Sequence, residues 1–198
     1  MADGGNAIKL VLLGDSGVGK TSIVTQYVSG SAPENVNPTI GAAFVTKDVT
    51  IDGQQLELLI WDTAGQEVYR GLAPMYYRSA LIAFIVFDVT KAESFDSVQY
   101  WIKELKTNVE ESIVILVCGN KIDLEEKRSI EFQAAQAMAT ENGALYSETS
   151  AATGQGVERM FQLAISTLLQ QRQPGGNSDP SKVKLTEAKD NKKKDGCC

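Results

Sequence analysis

The sequence predicts an α/β fold: a six-stranded, mostly parallel sheet with one antiparallel edge strand, flanked by about five helices. Three observations lead there. Six short apolar or alternating runs have the length of strands. Amphipathic stretches of helical period stand between most of them, as parallel neighbours require a crossover connection. Two of the runs are instead joined by Asp52-Gly53 alone, a two-residue hairpin signal, so one edge of the sheet is antiparallel.

"AIKLVLL" (7–13) is apolar and ends in glycine, as a buried first strand should. "TSIVTQYVSG" (21–30) has helical spacing at Ile23, Val24, Tyr27 and Val28 and stops at Gly30. Residues 31–41 hold two prolines and two asparagines and read as a loop. "AFVTKDVTI" (43–51) and "QQLELLIWD" (54–62) are the hairpin strands, and "TAGQEVYRGLAP" (63–74) is irregular. "ALIAFIVFD" (80–88) and "SIVILVCGN" (112–120) are continuously apolar, the mark of central strands covered on both faces. Between them, Phe95, Val98, Trp101, Ile102 and Leu105 share one helical face. "SIEFQAAQAMATENG" (129–143) is a helix stopped by Gly143, "ALYSET" (144–149) a short strand, and "GVERMFQLAISTLLQQR" (156–172) the last helix. The chain thus divides into a short flexible N-terminus (1–6), a folded domain (7–172) and a tail (173–198) rich in Gly, Pro, Ser and Lys without apolar period.

Composition narrows the function. Residues 1–172 carry 13 Lys+Arg against 21 Asp+Glu, and residues 173–198 carry 6 Lys against 4 Asp+Glu. An acidic body argues against nucleic-acid binding, while a mildly basic tail suits an anionic surface. Cys118 sits in an apolar strand and reads as a small buried hydrophobe; no cysteine pair lies in the body, so a reducing compartment is expected. No 18-residue apolar run predicts a membrane span, and the polar start does not read as a signal peptide.

Three motifs carry chemistry. "GDSGVGKT" (14–21) follows a strand and opens a helix, the context of a phosphate-binding loop and of a P-loop NTPase fold. The backbone of Asp15, Ser16, Gly17, Val18 and Gly19 would cradle phosphates at the helix N-terminus. Lys20 would reach the β- and γ-phosphates, the Thr21 hydroxyl would bind Mg²⁺, and Ser22, next in the chain, is counted with the nucleotide-binding residues. "WDTAGQE" (61–67) stands at a strand end. Asp62 can serve the metal, Gly65 can bring its N–H to a γ-phosphate, and Gln66 can orient an attacking water through its amide. In "NKID" (120–123), the Asp123 carboxylate can accept from guanine N1 and N2, donors that adenine lacks; Asn120 would brace the loop and the Lys121 stem would lie on the base. A glycine-rich turn, a polar turn and a chance tetrapeptide are the bland alternatives, and their shared order and strand-end placement argue against them.

Over residues 7–172 the chain resembles the Ras-like small GTPases, with "GDSGVGKT", "WDTAGQE", "NKID" and "ETSA" (148–151) in family order. Within them it looks like the Rab family, and "TIGAAF" (39–44) and "LAPMYYR" (72–78) look most like its early-endosomal branch. The resemblance implies a GTP/GDP-cycling switch that regulates vesicle traffic and membrane fusion, with slow intrinsic hydrolysis and Gln66, Lys20 and Thr39 as catalytic residues. It implies Mg²⁺ on Thr21, Thr39 and Asp62, with switch segments at 31–44 and 63–78. The N–H groups of Ser150 and Ala151, with Ala152 beside them, would close over the guanine oxygen. Phe44, Trp61 and Tyr76 would form the effector-reading surface, although packing into the core is the alternative for Phe44 and Trp61. Implied partners are an exchange factor, a GTPase-activating protein, a GDP-dissociation inhibitor, an escort protein and effectors. Implied location is the cytoplasmic face of intracellular membranes, the early endosome in particular, in exchange with cytosol.

Three positions depart from the family pattern. Ala152 replaces a usual Lys, Ala32 a usual aromatic, and Val68 a usual Arg. The first two remove apolar cover from the base, so GDP release is expected to be faster than in relatives. Two rival classes remain: a metabolic nucleotide kinase, disfavoured by few arginines and no lid-sized insertion, and a GTP-binding, effector-recruiting module with little hydrolysis, against which Gln66 speaks. In the tail, Cys197 and Cys198 do not form a C-a-a-X box. The resemblance implies geranylgeranyl groups on both, and two lipids anchor where one holds weakly.

Overall fold

The computed structural model describes residues 6–33, 37–65, 71–109 and 112–172. Among them run β1 (Ala7–Leu13), α1 (Lys20–Ser29), β2 (Ala42–Ile51), β3 (Gln54–Thr63), α2 (Ala73–Tyr77), β4 (Ile82–Asp88), α3 (Ala92–Asn108), β5 (Val114–Asn120), α4 (Phe132–Glu141), β6 (Leu145–Thr149) and α5 (Val157–Arg172). A 3₁₀ helix, Ile122–Lys127, follows β5. The sheet order is β2-β3-β1-β4-β5-β6, with β2 antiparallel to β3 and every other neighbour parallel. This is the architecture the apolar runs predict, and the order reverses direction at β1, beside which ligands bind in such sheets.

β4 and β5 are buried at every position because helices cover both faces, which explains their unbroken apolar sequences. On one side Leu10, Leu12, Leu58, Phe84 and Leu116 pack under α1 and α5. There Phe161 stacks flat on Tyr27 at 3.6 Å and meets the edge of Phe84 at 5.0 Å. On the other side Val11, Leu13, Ile85 and Phe87 pack under α3 and α4, through Trp101, Ile102, Leu105 and Met138.

The α1 face is narrower than predicted: Ile23, Val24 and Tyr27 are buried, but Val28 lies at the solvent margin. The stretch read as irregular ends in α2, with Pro74 in its first turn, where its missing N–H costs nothing. Cys118 is fully buried, as predicted, and burial pushes its thiol up to about 12. The tail and the first five residues lie outside the described residues.

Candidate functional site

β1 delivers the chain to the carboxyl edge of the sheet, and residues 14–19 curl there before α1 begins at Lys20. Gly19 has φ +100°, and a Cβ on it would lie 2.3 Å from the Asn120 amide nitrogen, so only glycine fits. Lys20 is buried. Its Nζ donates to the carbonyls of Gly14 (2.8 Å) and Asp15 (2.7 Å). Desolvation pushes its pKa down to about 8, against the opposing pull of the Asp62 and Asp15 charges. The result is a cation fixed against the loop's own carbonyls at the start of α1.

Three hydroxyl and carboxylate groups meet next to it. Thr21 Oγ1 donates to Asp62 Oδ2 at 2.6 Å and lies 2.9 Å from Thr39 Oγ1. Asp62 is buried, and its Oδ1 has no hydrogen-bond partner among the described residues. Burial raises the Asp62 pKa, and the Thr21 bond and the Lys20 charge partly offset that. A buried carboxylate oxygen without a partner is costly unless something else satisfies it. One carboxylate and two hydroxyls form a hard-oxygen set that fits Mg²⁺, which keeps waters and phosphate oxygens in its remaining positions. The residues predicted to hold the metal thus fit it. Gly65 leans on the same loop: a Cβ there would lie 2.4 Å from the Asp15 carbonyl group and the Ser16 nitrogen. A cavity of about 330 Å³ opens among Ser16, Lys20, Thr21, Ser22, Thr39 and Gly65.

A second cavity, about 190 Å³, adjoins it through Gly19, Ser22 and Lys121. Ala32, Asn120, Asp123, Ala151 and Ala152 also line it. Asn120 is its brace. Asn120 Nδ2 donates to the Val18 carbonyl at 2.8 Å, and its Oδ1 accepts from Thr149 Oγ1 and the Ala151 N–H, both at 3.1 Å. Asp123 Oδ1 accepts from Ser150 Oγ at 2.6 Å. Lys121 Nζ donates to the Gly17 carbonyl and pairs with the buried Asp88, each at 2.7 Å. Burial alone would push Asp88 up, but the bonds from Lys121 and Thr90 hold its carboxyl below the usual range.

The structure departs from expectation at two N–H groups. Ser150 N–H donates to the Gln155 carbonyl and Ala151 N–H to Asn120, so both are engaged within the chain. A base oxygen would share or displace those bonds rather than meet free donors. Gln66, Val68, Cys197 and Cys198 lie outside the described residues.

Phe44 and Trp61 stand opposite each other in the β2–β3 register, 5.1 Å between ring centroids, and Tyr76 lies 5.8 Å beyond Trp61. Phe44 is half exposed, which disposes of the core-packing alternative for it, while Trp61 and Tyr76 are partly buried. Exposed Ile40 and Met75 extend the apolar surface.

Sequence reasoning missed Asp88 and Thr149. Asp88 could have been found as Asp62 was, as an acid ending an apolar strand. It also missed the bidentate pair of Arg128 with Glu148 (2.9 and 3.0 Å), to which Tyr146 adds a third bond at 2.8 Å, locking the strand before Ser150.

A family model described as the Ras family matches residues 9–170. "Ras-related protein RabJ" from Dictyostelium discoideum is 48% identical over 153 residues, covering 77% of this chain. The matched stretch spans 60% of that relative's length.

Proposed function

We propose a function from this premise: the chain belongs to the Ras family of small GTPases. It acts as a Rab-type switch, cycling between GTP and GDP, and hydrolyses GTP slowly until an activator assists. The observation that carries this reading is the buried Asp62 Oδ1, without a partner among the described residues, beside Thr21, Thr39 and the sequestered Lys20 cation, next to a loop fit for phosphates.

The loop's N–H groups and Lys20 would hold the β- and γ-phosphates and take up negative charge as the terminal phosphoryl group transfers. Mg²⁺, held by Thr21, Thr39 and Asp62, would neutralise the phosphate oxygens. Gln66 would align the attacking water, accepting one of its protons in a hydrogen bond through the amide oxygen. Asp123 would select guanine and Asn120 would keep the base cavity in shape against the phosphate loop. Among the described residues no arginine lines the phosphate cavity, so a partner would supply that charge. With the γ-phosphate bound, Thr39 and Gly65 would hold the two switch segments; after hydrolysis they would relax.

The held form would present Phe44, Trp61 and Tyr76 to effectors. "TIGAAF" and "LAPMYYR" support an endocytic, early-endosomal role in vesicle traffic. Geranylgeranyl groups on Cys197 and Cys198 would place the domain on the cytoplasmic face of membranes, and a dissociation inhibitor would return it to cytosol. An exchange factor and an escort protein complete the expected partners.

Single-turnover hydrolysis of GTP in Mg²⁺ tests the enzymatic part. Slow turnover, on the order of 10⁻⁴–10⁻² s⁻¹, is expected, lost at least about tenfold in Gln66→Leu. GTP that stays intact on the parent protein over hours would leave only a binding module.

A further inference from the structure

Lys121 stands between the two cavities and lines both. Its backbone is left-handed, φ +72°, a conformation disfavoured for a residue with a Cβ and kept only where the surroundings hold it. Two bonds from Nζ do so. One runs to the Gly17 carbonyl in the phosphate loop and the other to Asp88 Oδ2 at the end of β4, each at 2.7 Å. The flexible stem of the side chain is thereby held at its far end as well as at its root.

Asp88 is a rigid anchor. It is buried, and its two oxygens have separate tasks. Oδ1 accepts the Thr90 N–H at 2.9 Å and the Thr90 hydroxyl at 2.7 Å, while Oδ2 faces Lys121. The Asp88 N–H donates to Ser94 Oγ at 3.0 Å, which ties this strand end to the first turn of α3. A carboxylate gripped in this way aims one oxygen at a fixed point.

The walls of the base cavity make that aim matter. Ala32, Ala151 and Ala152 bring one methyl group each, and Gly19 brings none. Among the described residues that line the cavity, Lys121 alone carries a long apolar stem. A flat base seated there would have that stem as its most extended apolar contact. A loose stem would have to lose rotamer freedom on every binding event, whereas a tethered one has lost it already.

We propose that Asp88 is a positioning residue: by tethering the Lys121 ammonium it holds the stem against the base cavity and so sets how long a guanine nucleotide stays bound. This rests on the nucleotide-binding reading above. Asp88 touches no ligand in this role and acts through Lys121.

The test is release of fluorescent GDP from the full chain in Mg²⁺, chased with unlabelled GDP. Asp88→Asn keeps an oxygen for Thr90 but turns an amide donor toward the ammonium. Lys121 is 31% exposed, so its freed charge can reach water and the fold should survive. GDP then leaves about tenfold faster than from the parent. Lys121→Met releases GDP at least as fast, since it gives up the Gly17 bond too. Adding Asp88→Asn to Lys121→Met changes the rate by less than about twofold, because the residue through which Asp88 acts is already gone. Stability moves the other way: Lys121→Met leaves the Asp88 carboxylate buried without its cation, so the added Asp88→Asn raises the melting temperature. If Lys121→Met melts below the assay temperature, Lys121→Asn, which tolerates the left-handed backbone, carries the same expectations. Parent-like release from Asp88→Asn, or effects that multiply in the double variant, would mean that Asp88 serves only the packing of β4 and α3, and would overturn the proposal. A parent protein that retains no GDP would overturn the nucleotide-binding reading, and the proposal with it.

Discussion

Lys20 is a cation kept in a dry place until an anion claims it. Its ammonium is buried against two carbonyls, and desolvation pulls its pKa to about 8, below the ordinary 10.5. The sign follows. Between about pH 8 and 10.5 the unfolded chain holds a proton that the folded, nucleotide-free chain has released, so Lys20 makes folding more favourable as pH rises through that window. Thermal unfolding of the nucleotide-free parent and of Lys20→Ala should therefore diverge in the parent's favour by about 2 kcal/mol from pH 8 to pH 10. A constant difference across that range would show that Lys20 is not held in this state. Lys20, Thr21, Asp62, Asn120 and Asp123 were legible from motif order, because each stands at a fixed offset from a strand end. Asp88 and Thr149 were not singled out, since their roles arise from pairings across the sheet. Lys121 meets Asp88 only because β5 lies beside β4, and Asn120 meets Thr149 only because β6 lies beside β5.

At the scale of elements, apolar patterning located every strand to within about two residues, because strand boundaries coincide with the edges of the core. Short helices escaped it. α2 has five residues and the 3₁₀ helix after β5 has six, too few for a period to register. The second also contains Lys121 at its cap with φ +72°, a conformation that tertiary contacts to Gly17 and Asp88 impose on a residue with no intrinsic taste for it. β6 is an edge strand, only partly buried along most of its length, and the Arg128–Glu148–Tyr146 cluster secures it. Both side chains of the ion pair are nearly buried, at 11% and 13% exposure, so losing one strands the other. Arg128→Met should cost about 2–4 kcal/mol in chemical denaturation. The paired replacement Arg128→Met with Glu148→Met should cost less than that single change, since no lone charge remains. Additive costs would show that the pair is solvated in practice.

For the whole molecule, the sheet gathers a phosphate cavity and a base cavity at its carboxyl edge, with the aromatic surface of Phe44, Trp61 and Tyr76 beside the segment carrying Thr39. One edge thus joins what holds the ligand to what a partner would read. Among the described residues no helix is long and apolar enough to cross a membrane. Membrane residence, in the account proposed here, comes from the terminal cysteines. Replacing Cys197 and Cys198 together by Ser should move the protein from the membrane pellet to the supernatant on cell fractionation, while either single change leaves a weaker, partial association. Unaltered pelleting of the double variant would place the anchor elsewhere. The charge contrast between an acidic body and a basic tail was legible in composition, whereas the contact of α3 with the phosphate loop through Ser97 was not, because a serine on an amphipathic helix carries no mark of its partner.

The central claim is that this edge binds guanine nucleotides selectively, and competition measures it most directly. With fluorescent GDP on the full chain in Mg²⁺, unlabelled GTP should displace the label at stoichiometric levels. ATP should fail at about a thousandfold excess, since adenine offers Asp123 no N1 and N2 donors to match its carboxylate. ATP competing within about tenfold of GTP would contradict the account.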